Sequence, residues 1–189
     1  MSGVRIIAGQ YKRRVLGLPR GANIRPTSSR VRESLFAMLH PWLAEARFLD
    51  LCAGTGAVGL EAASRGAARV LLVDNDRRCV QAIRANVAAC SAHDVAQVWH
   101  MDCLRALRML HERGEAFDII FADPPYRSGL VFKIVSALAR RPELLEENGW
   151  LCLEHDPGHP DVAAPPGFGV QSRKSYGDQA LTVLRKLPP

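Results

Sequence analysis

The residues best suited to chemistry are Asp123, Pro124, Pro125 and Tyr126, which directly follow an apolar run at residues 117–122. Two consecutive prolines have fixed φ and no N–H donors, so they end a strand and leave its carbonyls pointing outward. The Asp123 carboxylate and the adjacent carbonyl then form two acceptors for an amino group that must lose a proton. Tyr126 can stack on the ring that carries the amine. Although Pro-Pro often only ends a strand, we predict that these four residues are catalytic, in the methylation of an exocyclic amine.

A glycine-rich turn precedes this site and lies between a predicted strand and a predicted helix. Gly54, Gly56 and Gly59 have the G-x-G-x-x-G spacing of dinucleotide-binding turns, and Asp74 follows Gly54 by twenty residues. An acid at that place, at the end of the second strand, can bind ribose hydroxyls. Because NAD and S-adenosylmethionine both place a ribose there, the turn alone does not distinguish them.

Three features favour S-adenosylmethionine as the cofactor. Asp50 lies within the first strand of this unit, where its carboxylate can hold the methionine ammonium group directly or through water. Asp102, at the end of the third strand, can accept a hydrogen bond from the adenine amino group. The fourth strand ends at Asp123, in an amine site rather than a hydride-transfer site. The predicted cofactor-binding residues are Asp50, Ala53, Gly54, Thr55, Gly56, Asp74, Asn75, Asp102 and Cys103.

The composition is that of an ordinary globular protein. The chain has 189 residues, of which 48% are hydrophobic and 23% charged, enough for one α/β domain with a short extension. No stretch approaches the roughly 18–20 apolar residues of a membrane span, and the N-terminus lacks the apolar segment of a signal peptide. We therefore expect a cytoplasmic protein without a membrane partner.

The cysteines and histidines do not predict a metal site. The five cysteines are scattered and form no CxxC pair, so we expect most of them to be buried apolar residues. His155 and His159 have ligand-like spacing, but Pro157 and Gly158 would break the helix that this spacing requires. Cysteine or acidic partners at matching spacing are also missing. We predict no metal.

The excess positive charge is concentrated near the N-terminus. The net charge is +6, and residues 1–40 contain eight basic residues against one acid, whereas residues 41–189 contain 17 basic and 18 acidic ones. Such asymmetry indicates a polyanionic partner, most commonly nucleic acid; an inert basic tail is the alternative. Residues 4–9 and 15–19 resemble short strands around a basic turn, which favours an RNA- or DNA-binding arm. The predicted RNA-binding residues are Arg5, Lys12, Arg13, Arg14, Arg25, Arg30 and Arg32.

The remaining chain has the rhythm of an α/β protein. After a helix with capping residues near Ser28 and an apolar stripe from Val31 to Trp42, strands and helices alternate from residue 47 onward. Residues 168–173 and 180–185 are two predicted strands without a helix between them. This pattern predicts an antiparallel hairpin that closes an otherwise parallel sheet. We assign residues 1–42 to a basic N-terminal extension and residues 43–189 to the catalytic domain.

These motifs together resemble bacterial 16S ribosomal RNA guanine-N2 methyltransferases, nearly from end to end. The resemblance covers the N-terminal segments at residues 5–9, 25–27 and 30–36, the glycine turn at 50–62, residues 64–67, the motif at 123–126 and residues 176–178. The N-terminal arm is the discriminating part, because the other motifs recur in many amine methyltransferases.

The resemblance implies a Rossmann-like, S-adenosylmethionine-dependent methyltransferase fold with a mostly parallel seven-stranded sheet whose last strand is antiparallel. It implies that the acceptor is the exocyclic N2 of one guanine in 16S rRNA, within a 30S assembly intermediate rather than naked RNA. The basic N-terminal segment is then the RNA-recognition element.

Three other functions are compatible with parts of the sequence. The first is methylation of another amine, either adenine N6 in nucleic acid or a protein glutamine; Asp123 and the basic arm disfavour the glutamine case. The second is an RNA-binding assembly factor without catalysis, against which the set of Asp50, Asp74 and Asp123 argues. The third is a nicotinamide-dependent oxidoreductase.

Overall fold

The computed structural model describes residues 4–19, 21, 27–125, 129–158 and 162–188. Helices cover both faces of a seven-stranded sheet, and a two-stranded hairpin lies at the N-terminus. The strands are β1 Val4–Arg5, β2 Val15–Leu16, β3 Arg47–Leu51, β4 Arg69–Asp74, β5 Ala96–His100, β6 Phe117–Ala122, β7 Leu145–His155, β8 Phe168–Tyr176 and β9 Gln179–Lys186. The helices are α1 Ser29–Leu39, α2 Ala57–Ser64, α3 Arg77–Ala89, α4 Cys103–Glu112 and α5 Leu130–Ala139, with 3-10 turns at His40–Trp42 and Pro142–Leu144.

The large sheet has the strand order β5-β4-β3-β6-β7-β9-β8. Strands β3 to β7 are parallel, and β9 is antiparallel to both of its neighbours, β7 and β8. The predicted fold, with a hairpin that closes a parallel sheet, is therefore confirmed. Strand β7 begins five residues earlier than the predicted strand at 150–154.

The alternation of side chains along β3 divides the core into two layers. Phe48 packs in the layer that contains α1, α2 and α3, whereas Leu49 packs in the layer that contains α4 and α5. Ile6 and Leu16 of the N-terminal extension belong to the first layer. The extension thus shares its core with the large sheet, and the boundary at residue 42 stays a prediction.

The N-terminal hairpin is held on α2 by side chains that take the place of strand partners. Glu61 accepts hydrogen bonds from the backbone N–H groups of Ile7 and Ala8 at 2.7 and 3.0 Å. On the other side of the hairpin, the Gly17 N–H donates to Asn86 of α3 at 2.7 Å. The two predicted strands form and pair antiparallel, but they are shorter than the predicted segments 4–9 and 15–19. Each is only two residues long, because the neighbouring backbone groups bond to helices.

Gly9 lies where the hairpin comes closest to α2. Its φ is +80°, and a Cβ atom there would lie 1.7 Å from the carbonyl oxygen of Ser64. The next residue, Gln10, donates its N–H to that same oxygen at 2.7 Å. A side chain at position 9 therefore requires the hairpin to move away from the helix.

We expect Gly9→Ala to release the hairpin from α2. The matched control is Gly114→Ala, because Gly114 has a similar φ of +65° with no atom within 4 Å of the added Cβ. The control should lose about 1 kcal/mol for the left-handed backbone alone, whereas Gly9→Ala should lose at least about 2 kcal/mol more or expose the hairpin. Denaturant unfolding and amide hydrogen exchange at Ile7 and Ala8 measure the two outcomes. Equal losses in both variants would show that the close approach does not hold the hairpin.

Candidate active site

A cavity of about 740 Å³ opens at the carboxyl edge of the parallel strands, within the size range of small-molecule sites. The ends of β3, β4 and β6 lie side by side in the sheet, so residues that follow them converge there. The cavity is lined by all but one of the described residues that the sequence predicted for cofactor binding and catalysis: Asp50, Ala53, Gly54, Thr55, Asp74, Asn75, Asp102, Cys103, Asp123, Pro124 and Pro125.

Asp50 is a buried carboxylate with one unsatisfied oxygen. Its side chain points to the α2 layer and is 1% exposed. Oδ2 accepts the N–H of Gly59 at 2.8 Å, whereas Oδ1 has no hydrogen-bond partner among the described residues. Burial raises the pKa of Asp50 to about 7, and the Gly59 hydrogen bond opposes this only in part. A buried carboxylate with a free oxygen is a fitting partner for a cationic group in the cavity.

The glycine turn directs its backbone toward the cavity. Gly54 donates its N–H to Asp74 Oδ2 at 2.8 Å, and Asp76 donates its N–H to Asp74 Oδ1 at 2.8 Å. These bonds hold the Asp74 carboxylate at the end of β4, where the sequence placed a ribose-binding acid. Burial raises the pKa of Asp74.

Gly56 has a structural role rather than a place on the cavity wall. It precedes the first residue of α2 with a φ of +76°, and a Cβ there would lie 3.0 Å from Leu72 Cδ2. Gly56 turns the chain into α2 between two residues of the cavity wall, Thr55 and Ala57, and its contact with the cofactor stays a prediction.

Asp102 and Cys103 begin α4 on the other side of the cavity. Asp102 is the N-cap of the helix, and its Oδ1 accepts the N–H of Arg105 at 3.0 Å. Cys103 is 6% exposed, and its thiol interacts with Cys52. The hydrogen bond with Cys103, together with burial, raises the pKa of Cys52, so this thiol stays protonated. The same hydrogen bond lowers the pKa of Cys103, so only Cys52 is a firmly neutral part of the wall.

Asp123 continues from β6 and points into the same cavity. Its N–H donates to the Leu51 carbonyl at 3.3 Å, and Thr27 Oγ1 lies 3.4 Å from its Oδ2. Burial raises the pKa of Asp123 well above its ordinary value, and the nearby carboxylates of Glu154 and Asp50 raise it further. Pro124 and Pro125 line the cavity beside it. Tyr126 lies outside the described residues.

Several residues of the cavity wall were not predicted from the sequence as site residues: Thr27, Cys52, Asp76, Arg78, Met101, Leu130, Asp156 and Asp178 are among them. The cap of α1 predicted near Ser28 is Ser28 itself, which accepts the N–H of Val31 at 3.3 Å. Asp156 directly follows β7 and could have been found by the same strand-end pattern that indicated Asp74 and Asp102.

Most of the predicted RNA-binding side chains are exposed on the extension. These residues are Arg5, Lys12, Arg13, Arg14 and Arg30. Arg25 lies outside the described residues. The structure corrects the prediction that Arg32 binds RNA. This side chain is 1% exposed, and its Nη1 donates to the Arg5 carbonyl at 2.9 Å and lies 3.6 Å from Glu61. Its guanidinium fixes the hairpin from inside and cannot reach RNA.

Within the described ranges, no three His, Cys, Asp or Glu side chains are placed to hold a metal ion. His155 bonds to Thr182 Oγ1 at 2.9 Å, and its spacing partner His159 is outside these ranges. None of the helices in the described part of the chain is both long and apolar enough to span a membrane.

The strand order and the cavity at the carboxyl edge define a Rossmann-like methyltransferase. The solved structure "Putative methyltransferase yhhF from Escherichia coli" superimposes with a TM-score of 0.87 at 33% identity, covering 98% of this chain and 99% of that one. A "putative methyltransferase complexed with SAH" has the same fold, with a TM-score of 0.66 at 19% identity over 82% of this chain and 48% of that one.

The family model described as "Conserved hypothetical protein 95" matches residues 4–185. The protein "Ribosomal RNA small subunit methyltransferase D" of Escherichia coli is 41% identical over 191 residues, which cover 97% of this chain and 90% of that protein. The chain therefore belongs to the family of these ribosomal RNA methyltransferases, as the resemblance in its sequence predicted.

Proposed function

We propose that this protein methylates the exocyclic N2 of one guanine in 16S rRNA, within a 30S assembly intermediate in the cytoplasm, with S-adenosylmethionine as the methyl donor. The observation that carries the proposal is that two acids share one cavity: Asp50, with a buried oxygen that has no partner in the described part of the chain, and Asp123, at the Pro-Pro motif. The first suits a cationic cofactor and the second suits an amine acceptor. The name of the Escherichia coli relative supports small-subunit rRNA as the substrate.

In this proposal, residues of the cavity wall hold the cofactor. Asp50 takes the ammonium group of its methionine part, Asp74 takes the ribose hydroxyls and Asp102 takes the adenine amino group. The cofactor supplies an electrophilic methyl group on a sulfonium. Because the cofactor carries positive charge, its binding favours the charged forms of Asp50 and Asp123, whose pKa values burial has raised.

The acceptor base must leave its stack to enter this cavity. Asp123 and the carbonyl next to Pro124 accept the N2–H hydrogen bonds, and Tyr126 stacks on the flipped guanine. The bound cofactor would give its methyl group to N2 and keep the electron pair of the broken sulfur–methyl bond on sulfur. The proton of N2 passes to the Asp123 carboxylate and then to solvent. Alignment of the two reacting atoms supplies much of the rate.

The test is methyl transfer from labelled S-adenosylmethionine to under-methylated 30S particles and to protein-free 16S rRNA, followed by nucleoside analysis. We expect label in N2-methylguanosine, with the particle as the better substrate. Label in N6-methyladenosine would assign a different acceptor to the same site. Cofactor binding without methyl transfer to either substrate would contradict the proposed enzyme and favour an assembly factor that only binds RNA.

A further inference from the structure

A second cavity, of about 580 Å³, lies between α4 and α5 and carries strong positive charge. Five basic side chains line it, and Asp102 is the one acid among the lining residues. The basic residues are Arg105, Arg108, Lys133, Arg140 and Arg141. We call this cavity the α4–α5 groove. The concentration of charge is local, because residues 41–189 as a whole carry nearly equal numbers of basic and acidic side chains.

The positive charges of the groove are arranged along two helix faces. Arg105 and Arg108 are three residues apart on α4, and Lys133 on α5 is seven residues before Arg140, the C-cap of that helix, so each pair shares one side of its helix. In the parts of the chain that the structure describes, none of the five basic side chains forms an ion pair. Glu143, close to Arg141 in sequence, pairs instead with His111 Nδ1 at 2.6 Å. The groove therefore keeps its charge available for a ligand.

The groove joins the active site at one end. Asp102 lines both cavities, at the point where α4 leaves the carboxyl edge of the sheet. The groove lies on the α4–α5 face, whereas the N-terminal hairpin packs in the core layer on the opposite face. A basic surface thus lies on each side of the sheet, and that of the groove reaches the active-site edge.

We infer that the α4–α5 groove binds the phosphate backbone of the rRNA that presents the acceptor base, an inference that rests on the proposed function. A base in the active site is covalently attached to its own backbone, which must pass over the edge where the two cavities meet. Unpaired arginines beside that edge neutralise phosphates and release counterions. An acidic protein surface could also pair with these basic side chains, but it is not covalently attached to the reacting base as the RNA backbone is.

The test compares two variants that each remove two positive charges. The groove variant is the double substitution Arg108→Gln and Arg140→Gln, which removes one arginine on the α4 side of the groove and one on the α5 side. Arg84→Gln with Lys174→Gln is the control, since both side chains are exposed and line neither cavity. Affinity for protein-free 16S rRNA and for 30S particles is measured between 50 and 200 mM salt. We expect the groove variant to bind both about tenfold more weakly near 0.15 M, with a salt slope smaller by about 1.5. Cofactor binding should not change.

The outcomes separate this inference from the proposed function. Equal affinities and salt slopes for the groove variant and its control would overturn the groove, even if the wild-type protein methylates guanine. A groove variant that binds rRNA weakly while the wild type binds rRNA but transfers no methyl group would support the groove and reject the enzyme. Weakened binding to 30S particles with unchanged binding to protein-free rRNA would overturn the rRNA assignment in favour of a ribosomal protein. A wild-type protein that binds neither substrate would overturn both.

Discussion

An Asp123→Asn protein is expected to bind S-adenosylmethionine with little change and to transfer methyl groups at least about 100-fold more slowly, because a positioned proton acceptor contributes roughly 10²–10⁴-fold. The amide keeps the size and one acceptor oxygen of the carboxylate but cannot take the N2 proton. Single-turnover methyl transfer and cofactor titration measure the two properties separately. Full turnover in this variant would rule out the role of Asp123.

The pH dependence of turnover gives a second test of Asp123. Burial and the neighbouring carboxylates of Glu154 and Asp50 raise its pKa well above the ordinary value. A proton acceptor must be deprotonated, so turnover of the wild-type protein should fall as the pH is lowered through that raised pKa. The Asp123→Asn protein has no carboxyl to titrate and should lose this limb of the profile.

A Thr27→Val substitution tests the same carboxyl group, Asp123, with a smaller expected effect. The Thr27 hydroxyl lies 3.4 Å from Asp123 Oδ2, and its hydrogen bond lowers the pKa of Asp123 against the effect of burial. Valine keeps the shape but removes the donor, so the acidic limb should move to higher pH while turnover at high pH stays near the wild-type value. A uniform loss at every pH would instead indicate displacement of the substrate.

The acids of the active site were predictable because they follow one structural rule. Asp74 ends a parallel strand, Asp123 directly follows one and Asp102 follows one by two residues, and the carboxyl ends of such strands meet at one edge. Asp50 could be placed near them because its apolar flanks indicate a buried strand and the glycine turn follows it. A local pattern was sufficient in each case.

Contacts between distant segments could not be predicted in this way. Arg32 lies off the apolar stripe of α1, which indicates a solvent-facing side chain; its buried site exists because Glu61 of another helix lies beneath it. The α4–α5 groove could not be predicted from the sequence for a related reason. Its basic residues belong to two separate helical segments and come together only when α4 and α5 pack side by side.

An Asp50→Asn protein is expected to bind S-adenosylmethionine at least about thirtyfold more weakly, because loss of one partner of a buried charge pair costs about 2–5 kcal/mol. Asparagine retains an acceptor for the Gly59 N–H, so the turn should keep its shape. Asp76→Asn is the matched control: Asp76 also lines the cavity, but Arg78 Nη2 already pairs with it at 2.6 Å. Calorimetric titration should show less than about a threefold change in this control.

The pH dependence identifies the charge on Asp50 as the cause. With a pKa of about 7 in the free protein, Asp50 must lose its proton to pair with an ammonium group, so wild-type affinity should fall about tenfold for each pH unit below 7. The Asp50→Asn protein should lack that fall.

The free energy of unfolding should change with pH in the opposite direction to the affinity for the cofactor. Because burial raises the pKa of Asp50 from 3.8 to about 7, the folded state binds the proton more tightly than the unfolded chain does. The wild-type protein therefore loses stability as the pH rises from about 4 to 7, by on the order of 2–4 kcal/mol. Asp50→Asn removes this cost, so at pH 8 it should unfold at a higher denaturant concentration than the wild type while binding the cofactor poorly. A variant that is both less stable at pH 8 and weak in binding would show that Asp50 holds the fold together rather than the cofactor.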